Sequence, residues 1–143
     1  MSSSQGSSGA LEAALIVRAR DRERAERELV AALAERDVAL ARIDELRLAH
    51  LSAKEELKSV WNSVSDVGRL KALRAGGSAQ LAQAGERVAL AEFRGEVAEE
   101  IVTKCRKSLS GAAAAEEAIR RVLNRKEDQA RLARLVLADE DTG

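Results

Sequence analysis

Two stretches of nearly equal length, 11–74 and 79–138, constrain the fold more than any other feature of this sequence. The chain contains no proline, and Gly68 is the only glycine in the first stretch. Proline and glycine interrupt helices more strongly than any other residues, so each stretch can form one long α-helix. The sequence therefore predicts two helices, over about 11–74 and about 79–138.

The sharpest break between these helices is Ala75-Gly76-Gly77-Ser78. Glycine commonly follows the C-terminus of a helix, and Ser78 can cap the N–H groups that open the next one. We predict a turn over 75–78 that reverses the chain, within a single domain over 10–139. We expect a flexible leader over the Ser/Gly-rich residues 1–9 and an acidic tail over 139–143.

The spacing of apolar residues predicts which face of the first helix is buried. Its residues follow the 3-4 pattern of a left-handed coiled coil. They are Ala25, Leu29, Ala32, Arg36, Ala39, Ile43, Leu46, His50, Ala53, Leu57, Val60, Val64 and Val67. The second helix is less regular: its stripe is Phe93, Val97, Ile101, Cys105 and Leu109, followed by Ile119, Leu123, Ala130, Ala133 and Leu137. The predicted fold is all-α, a long antiparallel two-helix coiled-coil hairpin.

Two weak segments leave other arrangements open. Residues 59–68 and 108–111 have poor helix propensity, and Ser110 can cap a third helix, so a kinked or three- to four-helix arrangement is the alternative. Disorder is a further interpretation, because 34% of the residues are charged and 1% are aromatic. The zero net charge and the ordered spacing of apolar residues favour a folded chain.

Residue types that carry catalysis are scarce. The chain has one histidine, one cysteine and no tyrosine, and it lacks a Gly-rich phosphate loop. We interpret His50 and Cys105 as seam residues, and we expect no enzyme activity, no cofactor and no metal site. A net charge of zero gives no general attraction to nucleic acid. No apolar run approaches the ~20 residues that span a bilayer, so we expect no membrane insertion.

The two aromatic residues are the first candidates for partner binding. With a turn at 76–77, antiparallel helices of equal rise would bring residue i level with about residue 154 minus i. Trp61 and Phe93 would then lie at the same level. They are interpreted either as a local core cluster or as an anchor for a protein partner, since aromatic residues dominate interfaces.

Arginines at the open end of the hairpin are the second candidates. Arg18, Arg20 and Arg24 lie on the first helix, and Arg131 and Arg134 lie near the end of the second. Guanidinium groups suit forked contacts with the carboxylates of a protein partner. A solvated surface is the alternative interpretation.

Residues 15–36 carry a run of Arg and Glu followed by Ala-rich heptads, and this stretch resembles the opening helix of the FliJ/YscO family of type III secretion stalk proteins. Residues 115–134 are similar to the basic, Glu-rich end of that family. Length and two-helix layout agree, so the resemblance covers nearly the whole chain. The Gly76-Gly77 pair and the scattered Gly85, Gly95 and Gly111 depart from the family pattern.

The resemblance implies a central stalk of a bacterial type III protein secretion apparatus. It implies that the Arg-rich open end contacts the hexameric export ATPase. The Trp61/Phe93 level would face the export gate protein or a secretion chaperone. It also implies a monomeric hairpin in the cytoplasm, at the base of the apparatus, and the Ser-rich leader is compatible with a family member that is itself exported.

Two other functions remain open. The chain can be a generic coiled-coil adaptor or dimerisation module of another assembly, which a stable dimer of straight helices would favour. A membrane-active amphipathic protein is disfavoured, because the chain has one Trp, one Phe and only six lysines.

Overall fold

The computed structural model describes residues 2–63 and 66–142, with side chains from Ser8 to Asp141 within those ranges. The described residues form two α-helices, α1 (Ser2–Ser63) and α2 (Val67–Thr142), and contain no strand. In the central part of the chain the helices pack antiparallel, because Ile43 lies against Gly95 whereas Leu57 lies against Gly77. The prediction of an all-α helical hairpin is confirmed.

The chain reverses between Ser63 and Val67, and Asp66 begins α2 as its N-cap. The Asp66 carboxylate accepts a hydrogen bond from the Gly68 N–H at 3.0 Å, and its carbonyl accepts one from the Leu70 N–H at 2.9 Å. An aspartate in this position satisfies one of the N–H groups that a helix N-terminus leaves unpaired. The reversal therefore falls within the segment 59–68, whose poor helix propensity the sequence already indicated.

The predicted turn over 75–78 is wrong, and so are the helix bounds that followed from it. Gly76, Gly77 and Ser78 lie inside α2, and no glycine in the described ranges has a positive φ. Gly77 instead lies against Leu57: a Cβ at this position would be 2.7 Å from Leu57 Cδ2 and closer still to Cδ1. This glycine makes room for a side chain of the opposite helix, so it serves packing and not chain reversal.

The predicted ends of the hairpin are also wrong. The backbone of 2–9, where we expected a flexible leader, belongs to α1, and Asp139–Asp141 of the expected acidic tail lie at the end of α2. Once a helix is nucleated, each added residue gains a hydrogen bond, and Ser or Gly costs at most about 1 kcal/mol relative to Ala. For the same reason α2 continues through Ser108–Gly111, and no third helix begins at Ser110.

The chain divides into two compact units. The central unit is Ala31–Thr103, and the terminal unit combines Met1–Val30 with Lys104–Gly143. In each unit a segment of α1 packs against a segment of α2, and each has its own buried seam.

The seam of the central unit follows 3-4 spacing on both helices. On α1 the seam positions, all buried or half-buried, are Ala32, Arg36, Ala39, Ile43, Leu46, His50, Ala53 and Leu57, as predicted. On α2 they are Gly77, Leu81, Ala84, Val88, Ala91, Gly95, Ala98 and Val102. Val60 and Val67, predicted for this seam, are exposed, and Val64 lies outside the described residues. The predicted α2 stripe is wrong here, since Phe93 and Val97 lie beside the seam and Phe93 is 62% exposed.

The seam of the terminal unit has the same spacing but includes more charged residues than the single arginine of the central seam. Its members on α1 are Leu11, Leu15, Arg22, Ala25 and Leu29, and on α2 they are Cys105, Leu109, Ala112, Glu116, Ile119, Leu123 and Lys126. The later positions predicted for α2, Ala130, Ala133 and Leu137, are exposed. This unit therefore buries apolar side chains only as far as Leu123 and its neighbours.

Candidate interaction surfaces

The structure separates the two aromatic residues that the sequence placed at one level. Trp61 lies against α2 at Arg74, whose guanidinium carbon is 5.3 Å from the centroid of the indole ring. Phe93 follows Glu92, which is bonded to Arg47, so Phe93 lies at the level of a different part of α1. The prediction of a shared level is wrong because the chain reverses about ten residues earlier than Gly76-Gly77. The partner-binding role of each aromatic residue stays a prediction.

Trp61 is half-buried between the helices of the central unit. Its Nε1 is buried and donates no hydrogen bond to any described residue. Arg74 stacks its cation over the ring, an attraction typical of Trp and Arg. Trp61 is thus partly covered within its own chain, whereas Phe93 presents most of its ring to the outside.

The five arginines predicted for the open end form two separate groups in the terminal unit. Arg18, Arg20 and Arg24 are exposed on α1 near the level of Glu116, as the Arg22–Glu116 ion pair shows. Arg131 lies fifteen residues beyond Glu116 on α2, which is about 22 Å along the helix. All five arginines therefore belong to the terminal unit and are exposed, but they form two groups along it, and their role in partner binding stays a prediction.

Local bonds hold the second group close to its own helix. Arg131 donates to Asp128 at 3.0 Å, and Arg134 donates to the carbonyl of Ala130 at 3.3 Å. In the first group, Arg18 lies 3.8 Å from Asp21. These exposed pairs contribute little to stability, so their guanidinium groups can exchange partners easily.

An interhelical ion cluster that the sequence analysis missed lies at the level of the first arginine group. The Glu116 side chain is 6% exposed; it accepts one close hydrogen bond from Arg22 Nε and one from Arg120 at 2.9 Å. Arg22 also donates to Glu26 at 2.7 Å. The hydrogen bond to Glu116 raises the pKa of the Arg22 guanidinium further above its usual range. The sequence signal for this cluster is that Glu116 occupies a seam position of the 3-4 pattern. We missed it because we based the predicted seam of α2 on its larger apolar residues.

A groove with basic walls runs along one face of the central unit. We call it the basic groove; it has a volume of about 290 Å³. Its lining is Glu35, Val38, Ala39, Arg42, Leu46, Arg87, Leu90, Ala91 and Arg94. Val38 is 71% exposed and Leu90 is 51% exposed, so two aliphatic side chains lie open among three arginines and one glutamate.

A second groove of the central unit has the opposite charge. We call it the acidic groove; it has a volume of about 500 Å³. Its lining is Leu40, Ile43, Arg47, Glu92, Gly95, Glu96, Glu99 and Glu100. Within this groove Arg47 bonds Glu92 at 3.0 Å, and Arg36 lies 3.8 Å from Glu99. Four carboxylates against one lining arginine leave this groove negative.

The two grooves lie on opposite faces of the helix pair. On α2 the basic-groove residues Arg87 and Arg94 fall on one side of the buried Ala91 and Gly95, and Glu96 falls on the other, as 3.6 residues per turn requires. The central unit therefore carries a positive face and a negative face at nearly the same level. The sequence conceals this separation, because neutral composition and interleaved charge give no hint of it.

The described residues hold no group of three or more His, Cys, Asp or Glu side chains that could bind a metal ion. Neither helix contains, over its described residues, a stretch long and apolar enough to cross a membrane. No family model matches the chain, and no curated protein or solved structure matches it.

Proposed function

We propose that this chain is a non-catalytic assembly element, a helical hairpin that binds other proteins through surfaces which its own helices leave uncovered. The observation that carries this proposal is where the apolar side chains lie: several large ones are exposed, while small ones occupy buried positions between the helices. The α2 side of the central seam is built mainly from Ala, Gly and Val, whereas Val38, Leu90 and Phe93 are more than half exposed. Exposed apolar surface rimmed by charge is typical of protein interfaces.

The assembly that we propose is a bacterial type III protein export apparatus, in which the chain is the central stalk. The resemblance of residues 15–36 and 115–134 to the FliJ/YscO family supports this proposal, and so does the two-helix hairpin. The terminal unit would contact the export ATPase hexamer through Arg18, Arg20 and Arg24, which are exposed. The export gate protein and secretion chaperones would bind elsewhere on the hairpin, with Phe93 and Trp61 as separate anchors. The location would be cytoplasmic, at the base of the apparatus, with no nucleic acid, cofactor or membrane insertion.

The physical role in this proposal is mechanical coupling. Within each unit a seam holds the two helices against each other, and in this proposal the hairpin transmits a displacement from the ATPase to the gate. Arginine side chains that bind carboxylates of the ATPase hexamer could make a similar contact with each of its subunits and exchange one subunit for the next. The chain would then contribute position and force, and the ATPase would supply the chemistry.

Binding to a purified export ATPase hexamer tests this function. We expect the triple reversal Arg18→Glu, Arg20→Glu and Arg24→Glu to weaken binding at least about tenfold, because it replaces three attractive rim contacts with repulsive ones. The matched control reverses three exposed cations of the same unit, Lys104, Arg106 and Lys107. The control should change affinity less than about twofold.

If both triple variants lose the same affinity for the ATPase, binding depends on net charge and not on these three arginines. If neither variant loses affinity, the proposed contact with the ATPase is wrong. The assay is run at concentrations at which light scattering shows one chain per particle. Far-UV circular dichroism of each variant establishes that the helices are intact.

A generic adaptor or dimerisation module is the second candidate, and the far end of α2 favours it. Leu132, Leu135, Val136 and Leu137 are all exposed there, beyond the part of the terminal unit that buries apolar side chains. Light scattering combined with small-angle X-ray scattering separates the two candidates. A stable dimer of straight helices would support the adaptor, and a single-chain hairpin would support the stalk.

A further inference from the structure

We propose that the central unit binds a second copy of this chain, with the basic groove of one copy against the acidic groove of the next. The association is independent of the proposed function, because it uses the central unit and not the arginines that would meet an ATPase. It joins folded hairpins side by side and leaves the pairing of α1 with α2 within each chain intact.

Charge complementarity identifies the occupant. The basic groove is lined by Arg42, Arg87 and Arg94 against a single Glu35, and Arg42 also lies 3.1 Å from Glu45, just outside the lining. The acidic groove is lined by four carboxylates, of which Glu92 and Glu99 lie against Arg47 and Arg36. Glu96 and Glu100 are left in excess over these two arginines, so the groove is negative. The surface that complements each groove is therefore present on the chain itself.

The apolar side chains give the association its contact area. Val38 and Leu90 stand open in the basic groove, and Leu40 stands open in the acidic groove above Ile43 and the bare backbone of Gly95. Docking the two grooves would remove these aliphatic groups from water while the arginines meet the carboxylates around them. Apolar contact with a charged rim is the usual composition of an interface core and its margin.

The same charges decide the symmetry of the contact between two copies. Two copies that met through identical faces would bring three arginines against three arginines, or four glutamates against four, and like charges repel. The contact is therefore heterologous, and each added copy leaves one basic and one acidic groove free. Heterologous contacts form rings if the rotation closes and open chains if it does not.

Charge reversal within each groove tests the proposal on the full-length chain. The first variant carries Arg87→Glu and Arg94→Glu, and the second carries Glu96→Lys and Glu100→Lys. Glu96 and Glu100 are chosen because Glu92 and Glu99 are engaged by Arg47 and Arg36 within the chain. Sedimentation velocity over a range of concentrations, at about 50 mM and about 500 mM salt, measures self-association and its screening.

We expect the wild type to self-associate at low salt and to dissociate as salt rises. Each variant alone should associate at least about tenfold more weakly, because both of its grooves then carry the same sign. An equimolar mixture of the two variants should restore association, since every groove of one variant then complements a groove of the other. A control with Lys54→Glu and Lys58→Glu, exposed residues that line neither groove, should behave like the wild type.

A wild type that stays monomeric at low salt up to about millimolar concentration overturns the proposal. It is also overturned if the mixture fails to associate, or if both variants associate as strongly as the wild type. Neither result bears on ATPase binding, which is assayed with variants of the terminal unit.

Discussion

The two units of this hairpin hold their helices together by different means. In the central unit the fit is one of shape: Gly77 and Gly95 leave space for Leu57 and Ile43 of the opposite helix. In the terminal unit a buried carboxylate, Glu116, lies in the seam and is held by arginines of both helices. The same 3-4 spacing thus supports a close contact of small residues in one unit and an ion cluster in the other.

This difference teaches that spacing and residue type carry separate information. Spacing decides which face of each helix is buried. The residue at each seam position decides how near the helices approach and which substitutions they tolerate. Substitutions in the two units should therefore fail for different reasons and by different amounts.

The largest effect is expected from removing both cations that meet Glu116. Arg22→Ala with Arg120→Ala leaves the Glu116 carboxylate buried without a cation, and a buried charge left in this way costs about 3–5 kcal/mol of folding free energy. Urea unfolding followed by circular dichroism measures the loss. Glu116→Leu is the matched control, because an aliphatic residue at the same seam position removes the charge itself and should be neutral or stabilising by about 1–4 kcal/mol. Wild-type stability in the double arginine variant would contradict the burial of Glu116.

Two neighbouring glycines of the central unit should respond with opposite signs. Gly77→Leu drives a side chain into Leu57 and should destabilise the fold by about 1–3 kcal/mol. Gly76→Ala meets no atom within 4 Å and should stabilise α2 by about 1 kcal/mol through helix propensity alone. Thermal and urea unfolding of both variants provide the comparison. A loss of stability on Gly76→Ala would instead favour a turn at this position.

The smallest effect is expected at the exposed interhelical pair of the central unit. Arg47 and Glu92 are bonded at 3.0 Å, but their side chains are 58% and 44% exposed. A double-mutant cycle with alanine at both positions should give a coupling energy of about 0.2–1 kcal/mol, smaller still at high salt. A coupling as large as that of Glu116 with its arginines would abolish the distinction between the two units.

The fold was largely predictable, because the 3-4 spacing of apolar residues recurs many times along the chain. The 3-4 spacing from Ala25 to Leu57 gave the buried face of α1 correctly, and the proline-free stretches indicated two helices. The turn was mislocated because a Gly-Gly pair is ambiguous: glycine permits a positive φ, but it also permits close packing. Only the position of Leu57 on the opposite helix decides between these uses.

The seam of α2 and the candidate surfaces were less predictable. The α2 seam of the central unit consists mainly of Ala, Gly and Val. The larger Phe93 was therefore predicted to be a seam residue, although it lies outside the seam. The two grooves depend on which residues of α1 stand opposite α2. The pairing differs from the predicted one because α1 ends at Ser63 and α2 begins at Val67, about ten residues before Gly76-Gly77. The spacing of residues within one helix does not reveal which residues of the other helix stand opposite.

Gly95 has a consequence for how the central unit can assemble during folding. A heptad pattern repeats every seven residues, so α2 could slip by one repeat along α1 and still present its seam. Such a slip would bring Val88 or Val102 against Ile43, where even the Cβ of an alanine would lie 2.7 Å from Ile43 Cδ1. A slipped alignment would require Ile43 to move its Cδ1 to another rotamer, so the missing side chain favours one alignment of the helices over its shifted copies.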